Sequence, residues 1–156
     1  MNILISCNET YLFPATVCLE SIFENHPNNK VDVYVMHLEN DGIYSQLNAM
    51  YDNIHDVAIA ENDTCNIPIP RKYNAHISVE AYFRLFVLKY LPVGLDRILY
   101  MDVDAVCNKN LEEMYNIEMG DYYIAGCREY GFDMYPSIKK EVFANLCIGG
   151  GISTVV

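Results

Sequence analysis

Short apolar runs alternate along this chain with segments whose apolar positions recur at helical spacing. The first run, Ile3-Leu4-Ile5, closes on Ser6-Cys7. A short continuous run of this kind marks a strand buried on both faces, so a strand is predicted over Ile3 to Cys7. Pro14 suits the first turn of a helix. That helix is predicted to continue over Ala15 to Glu24, with Val17, Leu19, Ile22 and Phe23 on its apolar side, until Asn25-His26-Pro27-Asn28-Asn29 breaks it. Val31 to Leu38 is rich in valine and predicts a second strand. A helix over Gly42 to Tyr51 and a third strand over Val57 to Ala60 follow. Asn62 to Lys72 carries Pro68 and Pro70 and is expected to be a loop. Ser78 looks like a helix N-cap, with Val79 to Tyr90 helical and Pro92 just beyond the end. Arg97 to Met101 predicts a fourth strand and Tyr122 to Gly126 a fifth. Strands separated by helices read as an α/β fold with a mainly parallel sheet. There is no internal repeat and no low-complexity tract.

Composition narrows this picture. The length of 156 residues fits one domain, and 52% apolar with 20% charged residues suits a packed fold and excludes disorder. The net charge of −11 disfavours non-specific contact with nucleic acid or anionic membrane. An acidic protein can still bind a phosphorylated ligand when a metal cation bridges the two. None of the six cysteines forms a C-x-x-C pair, which argues against a structural zinc site, and several lie in apolar runs as small buried hydrophobes. No signal peptide is recognisable, and no apolar stretch approaches the roughly 18 residues that span a membrane. The expectation is a cytoplasmic, reduced protein with no transmembrane segment.

The most informative segment is Arg97-Ile98-Leu99-Tyr100-Met101-Asp102-Val103-Asp104, an apolar strand that ends in two carboxylates around one small apolar residue. In open α/β sheets ligands bind beyond the carboxyl ends of the strands. Two carboxylates on one short turn there can hold a hard divalent cation, which neutralises charge on a diphosphate leaving group. The competing reading is a pair of solvated aspartates on a loop. A calcium loop is a second alternative, because Asp102, Asp104 and Glu113 fall at its first, third and twelfth positions; Val106 and Cys107 spoil it. No G-x-G-x-x-G follows the first strand, which disfavours a Rossmann dehydrogenase, and no P-loop is present.

Three segments, taken in order, resemble glycosyltransferase family 8. They are Ile5-Ser6-Cys7-Asn8-Glu9-Thr10-Tyr11 with Ser21 to Pro27, the helix Ser78-Val79-Glu80-Ala81-Tyr82-Phe83-Arg84-Leu85, and Ile98 to Asp104. The resemblance covers nearly the whole chain up to about residue 130. It implies a GT-A, Rossmann-like nucleotide-diphospho-sugar transferase fold, here a single domain over residues 1–156 that is C-terminally incomplete. It also implies transfer of a hexose from a UDP-sugar, UDP-galactose or UDP-glucose, to a glycan or lipid-linked acceptor of the lipopolysaccharide type. The transfer would retain anomeric configuration and use Mn2+ or Mg2+. By the same resemblance Asp102 and Asp104 are the metal ligands. Cys7, Asn8, Thr10, Tyr11, His76, Arg84, Asp102 and Val103 belong to the nucleotide-sugar site. Glu129 contacts the sugar as the candidate catalytic residue. Thr10 stands where asparagine is common. Arg84 reads equally as a surface helix charge, and Glu129 as an exposed glutamate. No nucleophile is evident, and the resemblance implies a front-face route in which the leaving diphosphate guides the acceptor.

The family pattern continues with a Y-F-N-[SA]-G strand, a D-Q-D segment and a histidine that completes the metal site, none of which is present. Gly151 to Val156 can be encoded by DNA that, read two bases later, gives Tyr-Phe-Asn-Ser-Gly. The tail over about residues 140 to 156 is therefore expected to be frame-shifted, with a deliberately short variant or a cut boundary as the alternative. A sheet that lost strands would expose an edge and invite self-association into a homo-oligomer. Three readings remain open at this level: an active transferase, a fragment that binds UDP weakly without catalysis, and a chain that only self-associates.

Overall fold

The computed structural model describes residues 1–64 and 78–126 of the 156-residue chain. The chain divides into two compact units, Met1–Asn116 and Ile117–Val156. The first is built on four parallel strands: β1 (Asn2–Ser6), β2 (Asp32–Leu38), β3 (Ile54–Ile59) and β4 (Leu99–Tyr100), in the order β3-β2-β1-β4. The β1–β2 ladder runs from Asn2↔Asp32 to Ser6↔Met36, and the β2–β3 ladder from Val33↔Ile54 to Leu38↔Ile59. β1 meets β4 only at Ile3↔Leu99 and Leu4↔Tyr100. Parallel neighbours cannot be joined by a tight turn, and here α1 (Leu12–Asn25) links β1 to β2 and α2 (Ile43–Asn48) links β2 to β3.

The period-two alternation of strand side chains builds a core on each face. Ile3, Ile5, Val33 and Val35 pack with Ala15, Cys18, Leu19 and Ile22 of α1 and with Ile43 and Leu47 of α2. Leu4, Tyr34, Met36, Val57 and Ile59 pack on the other face against Phe83. Cover on both faces explains why β1 and β2 read as continuous apolar runs. Each such side chain contributes about 1.5–3 kcal/mol on burial.

Phe83 comes from a 3₁₀ helix (Val79–Phe86) that runs into α4 (Val87–Tyr90), where the sequence predicts one continuous helix. A local cause is visible. The Arg84 Nε donates to the Ala81 carbonyl at 2.9 Å, an acceptor that an α-helix reserves for the amide four residues on. Ser78 has the extended backbone of an N-cap, but its side chain makes no cap bond. Leu91 is extended before Pro92, as the residue preceding proline prefers, and ends α4.

Other expectations are corrected in detail. α1 starts at Leu12, after a 3₁₀ turn at Glu9–Tyr11, so Pro14 is its third residue; amides of the first turn lack helical partners, which makes proline tolerable there. Val17 is 40% exposed, and Ala15 and Cys18 are buried instead. β3 begins at Ile54 rather than Val57, because it is an edge strand whose Asp56 and Ala58 face outward and break the apolar run. The fourth strand contracts from Arg97–Met101 to Leu99–Tyr100. A helical turn, α3 (Glu61–Thr64), occupies the start of the expected loop. α5 (Glu112–Tyr115) has no counterpart in the sequence reading; the Tyr115 hydroxyl ties it to the sheet edge by donating to the Arg97 carbonyl at 3.0 Å.

The second unit is described over residues 117–126. Gly120, at φ +52°, turns the chain, and the Tyr122 amide donates to the Met119 carbonyl at 2.9 Å. Tyr122–Gly126 is not a strand, contrary to the pattern. A strand exists by pairing its backbone groups, and this segment joins no sheet among the described residues. No helix among them is long and apolar enough to cross a membrane.

Candidate functional site

The winding reverses at β1. The chain steps from β1 to β2 and β3 on one side and returns to place β4 on the other. Such a switch point opens a crevice at the carboxyl ends of β1 and β4, because the following segments depart in opposite directions. Ser6 and Cys7 lie at the end of β1, and Tyr100 to Asp104 at the end of β4. A cleft of about 310 Å3 opens there, lined by Ser6, Cys7, Tyr100, Asp102, Val103 and Asp104 with Tyr11, Ser78 and Ala81.

The acidic turn is anchored through its middle residue. The Met101 amide donates to the Leu4 carbonyl at 2.9 Å, extending the ladder one step, and the Ala105 amide closes a turn on the Asp102 carbonyl at 3.1 Å. Val103 is buried in the α1-side core, while Asp102 and Asp104 on either side of it are exposed. The aspartates are thus held at the cleft by an apolar peg between them.

α1 fixes the continuation of this turn. Ser21 Oγ accepts from the Cys107 amide at 2.9 Å, and Asn25 Nδ2 donates to the Cys107 carbonyl at 3.1 Å. Buried His26 accepts from the Leu111 amide through Nε2 at 2.7 Å, so its proton resides on Nδ1, which lies 2.7 Å from the Ile22 carbonyl. The neutral ring satisfies both bonds, and this histidine is structural.

Asp102 is the hub of the charged groups. Its Oδ1 accepts from Arg84 Nη2 at 2.8 Å and from the Tyr100 hydroxyl at 3.0 Å. The Arg84 guanidinium also sits 4.0 Å above the Tyr100 ring, a cation–π contact. Burial pushes the Tyr100 hydroxyl well above its ordinary range; the Arg84 charge opposes this and Asp102 reinforces it. Tyr100 therefore remains a donor. Two donors converge on one oxygen of Asp102 and leave the other for a ligand. Asp104 has no hydrogen bond or ion pair among the described residues.

The cleft brings together Cys7, Tyr11, Asp102, Val103 and Asp104 of the residues singled out in the sequence, with Arg84 tied to it through Asp102. Asn8 and Thr10 do not line it. Asn8 Oδ1 accepts from the Thr10 amide at 3.1 Å and from the Thr10 hydroxyl at 2.5 Å, so the two shape the turn that carries Tyr11. The Cys7 thiol is pushed up to about 12 by burial and then by the charges of Asp41 and Glu80, which makes it a neutral packing group. His76 and Glu129 lie outside the described residues. Sequence reasoning missed Ser6, Ala81 and Tyr100 as cleft residues, and Ser78, which does stand at the N-cap position, lines the cleft as well. Tyr100 was findable, because a side chain two residues before Asp102 on a strand shares its side.

Two exposed carboxylates beside a cleft suit a hard cation that takes oxygen ligands. No group of three or more histidine, cysteine or acidic side chains among the described residues could hold a metal by itself. The donor set thus fits a divalent ion only when ligand oxygens complete the coordination. That is the usual mode for an ion shared with phosphates.

Comparison with known proteins gives concordant results. The model of "Glycosyl transferase family 8" matches residues 2–148. A Haemophilus influenzae protein whose name assigns it provisionally as a glycosyltransferase is 31% identical over 92% of this chain and 42% of its own length. A lipopolysaccharide 1,2-glucosyltransferase of Escherichia coli is 28% identical over 78% of this chain and 36% of its own. The crystal structure of the galactosyltransferase LgtC, solved with donor and acceptor sugar analogues, superposes with a TM-score of 0.77 at 20% identity, covering 91% of this chain and 51% of that one. The chain thus spans less than half the length of these two relatives.

Proposed function

The chain belongs to glycosyl transferase family 8, and from that premise we propose that it forms the donor-binding part of a GT-A enzyme transferring a hexose from UDP-galactose or UDP-glucose, with retention of configuration. The acceptor proposed is a glycan or lipid-linked sugar of the lipopolysaccharide type, and the place of action the cytoplasm. The observation that carries the reading is the Asp102-Val103-Asp104 turn, pegged by buried Val103 at the switch-point cleft. The fold likeness to LgtC and the names of the Escherichia coli relatives support it.

Asp102, through the oxygen that Arg84 and Tyr100 leave free, and Asp104 would hold Mn2+ or Mg2+ against the donor diphosphate. Such an ion supplies charge neutralisation of the leaving diphosphate. The chain's own groups do the rest. Arg84 stays charged and donates in a fork, so it can exchange part of its bonding from Asp102 to a phosphate oxygen. Tyr11 is 41% exposed at the cleft and offers a ring and hydroxyl to the nucleoside. Buried Val103 and the neutral Cys7 thiol keep the floor dry.

The test is calorimetric titration of UDP into the 156-residue chain, with and without manganese, for wild type and Asp102→Ala/Asp104→Ala. Binding that needs both the metal and the aspartates is expected. Absence of binding in wild type would sink the donor-site reading. Binding without hydrolysis or transfer of UDP-glucose or UDP-galactose would mark a non-catalytic fragment.

A further inference from the structure

Ser6 is the last residue of β1, lines the cleft and is 9% exposed. Its hydroxyl is the one fully buried side-chain polar group among the described residues without a hydrogen-bond partner. A buried hydroxyl left in this state costs roughly 1–3 kcal/mol of desolvation, so native folds seldom keep one without a use for it. Its surroundings explain the vacancy. Ser6 follows Leu4 on the strand face that packs toward the 3₁₀ helix. Nearby Ser78 also lines the cleft, yet no bond joins the two hydroxyls. The hydroxyl is sealed from solvent in the free chain, so a partner seated in the cleft that Ser6 lines reaches it by rotation of the side chain about χ1.

The charge around it narrows the choice of partner. Glu80, on the 3₁₀ helix that packs on this face, is buried at 5% exposure. A phosphate oxygen would be repelled from this floor. A neutral group that donates a hydrogen bond would be favoured.

We propose that Ser6 Oγ is a binding group for an uncharged hydroxyl of the donor, accepting its proton and positioning the nucleotide sugar below the acidic turn. The assignment rests on the donor-site reading above and adds to it a contact made by this chain's own side chain. The hydroxyl comes from one of two parts of the donor, the ribose or the hexose, which share this chemistry.

The two opposite signs expected of Ser6→Ala make the test sharp. The free protein gains or keeps stability, because an unpartnered buried hydroxyl is removed. The complex loses a hydrogen bond, weakening binding about five- to tenfold. Thermal melting of the free chain is measured beside calorimetric titration of UMP, UDP and UDP-glucose with manganese. An equal loss for all three ligands assigns the ribose, and a loss confined to UDP-glucose assigns the hexose. Unchanged affinity for all three overturns the proposal, as does a free variant that melts well below wild type, since the hydroxyl would then have a partner inside the fold. If wild type binds none of the ligands, the donor-site reading falls and takes this assignment with it. Binding by wild type with an indifferent Ser6→Ala overturns the assignment alone.

Discussion

The two sides of β1 are built differently. Toward β2 and β3 the ladders are long, and the residues of β1 and β2 are sealed between two helical layers. Toward β4 the ladder is two residues long and both strand residues are half-buried. The cleft lies on the thin side. Packing density and chemistry are thus separated across one strand, so substitutions on the two sides should fail in different ways. Function is drawn from the less stable part of a fold because its groups must meet a ligand rather than one another.

The largest effect tests the thick side. Leu19 is fully buried between α1 and the sheet, and Leu19→Ala should cost about 2–5 kcal/mol, a large share of a domain's stability. Leu99→Ala, on half-buried β4, should cost about 1 kcal/mol. Urea midpoints of the two variants measure the contrast. Equal losses would break the comparison.

The next effect is on the thin side and spares stability. Both members of the Arg84–Asp102 pair are more than one-third exposed, at 40% and 59%, so the ion pair itself contributes at most about 1 kcal/mol. Arg84→Met should leave the urea midpoint nearly unchanged and weaken UDP binding about ten- to a hundredfold, the range of charge-assisted bonds to a phosphate. A variant that unfolds early while binding UDP normally would reverse the assignment of roles.

Alkaline pH probes the join between the two sides. Cys7 closes β1, and Cys18 lies on α1 with its Sγ 4.0 Å from the Asp102 carbonyl. Burial raises the Cys7 thiol from its ordinary 9.0 to about 12 and the Cys18 thiol to about 11, with Cys107 and Asp104 adding to the latter. Between pH 9 and these values the unfolded chain has lost protons that the folded chain keeps. Stability is therefore whole below pH 9 and falls as pH rises toward 11 and 12. Urea midpoints from pH 8 to 11 should decline, and Cys18→Ala should decline less steeply. A flat profile would mean the thiols are not held in a dry interior.

The sequence was most legible on the thick side. Apolar runs gave β1 and β2 to within a residue because two-sided burial demands them. β3 was cut short because an edge strand mixes Asp56 with Ile54 and Val57. Tyr122–Gly126 misled because β-propensity in Tyr-Tyr-Ile records a fit to a pleated surface, not the presence of a neighbour. In the site, the acidic pair stood out by its place after a strand. Tyr11 and Arg84 came only through the family resemblance, since their spacing alone does not separate them from ordinary surface residues. Ser6 was hidden by its neighbours, for a small polar residue at a strand end has no pattern of its own. Its significance is a missing bond, which only the folded chain displays.

The smallest effect is the most discriminating. Tyr100 lines the cleft, supports the Arg84 guanidinium with its ring and donates to Asp102 Oδ1 with its hydroxyl. Tyr100→Phe keeps the ring and removes the donor. Arg84 still holds Oδ1, so the carboxylate is loosened rather than released, and stability should change by less than about 1 kcal/mol. If the role of Tyr100 is to commit one oxygen of Asp102 and leave the other to the cation, the loss falls on the metal-dependent part of binding. Manganese-supported UDP affinity should drop about fivefold while metal-free binding is unmoved. Equal losses with and without manganese would instead place the hydroxyl against the nucleotide itself. The acidic turn would then owe its geometry to Arg84 and the Val103 peg alone.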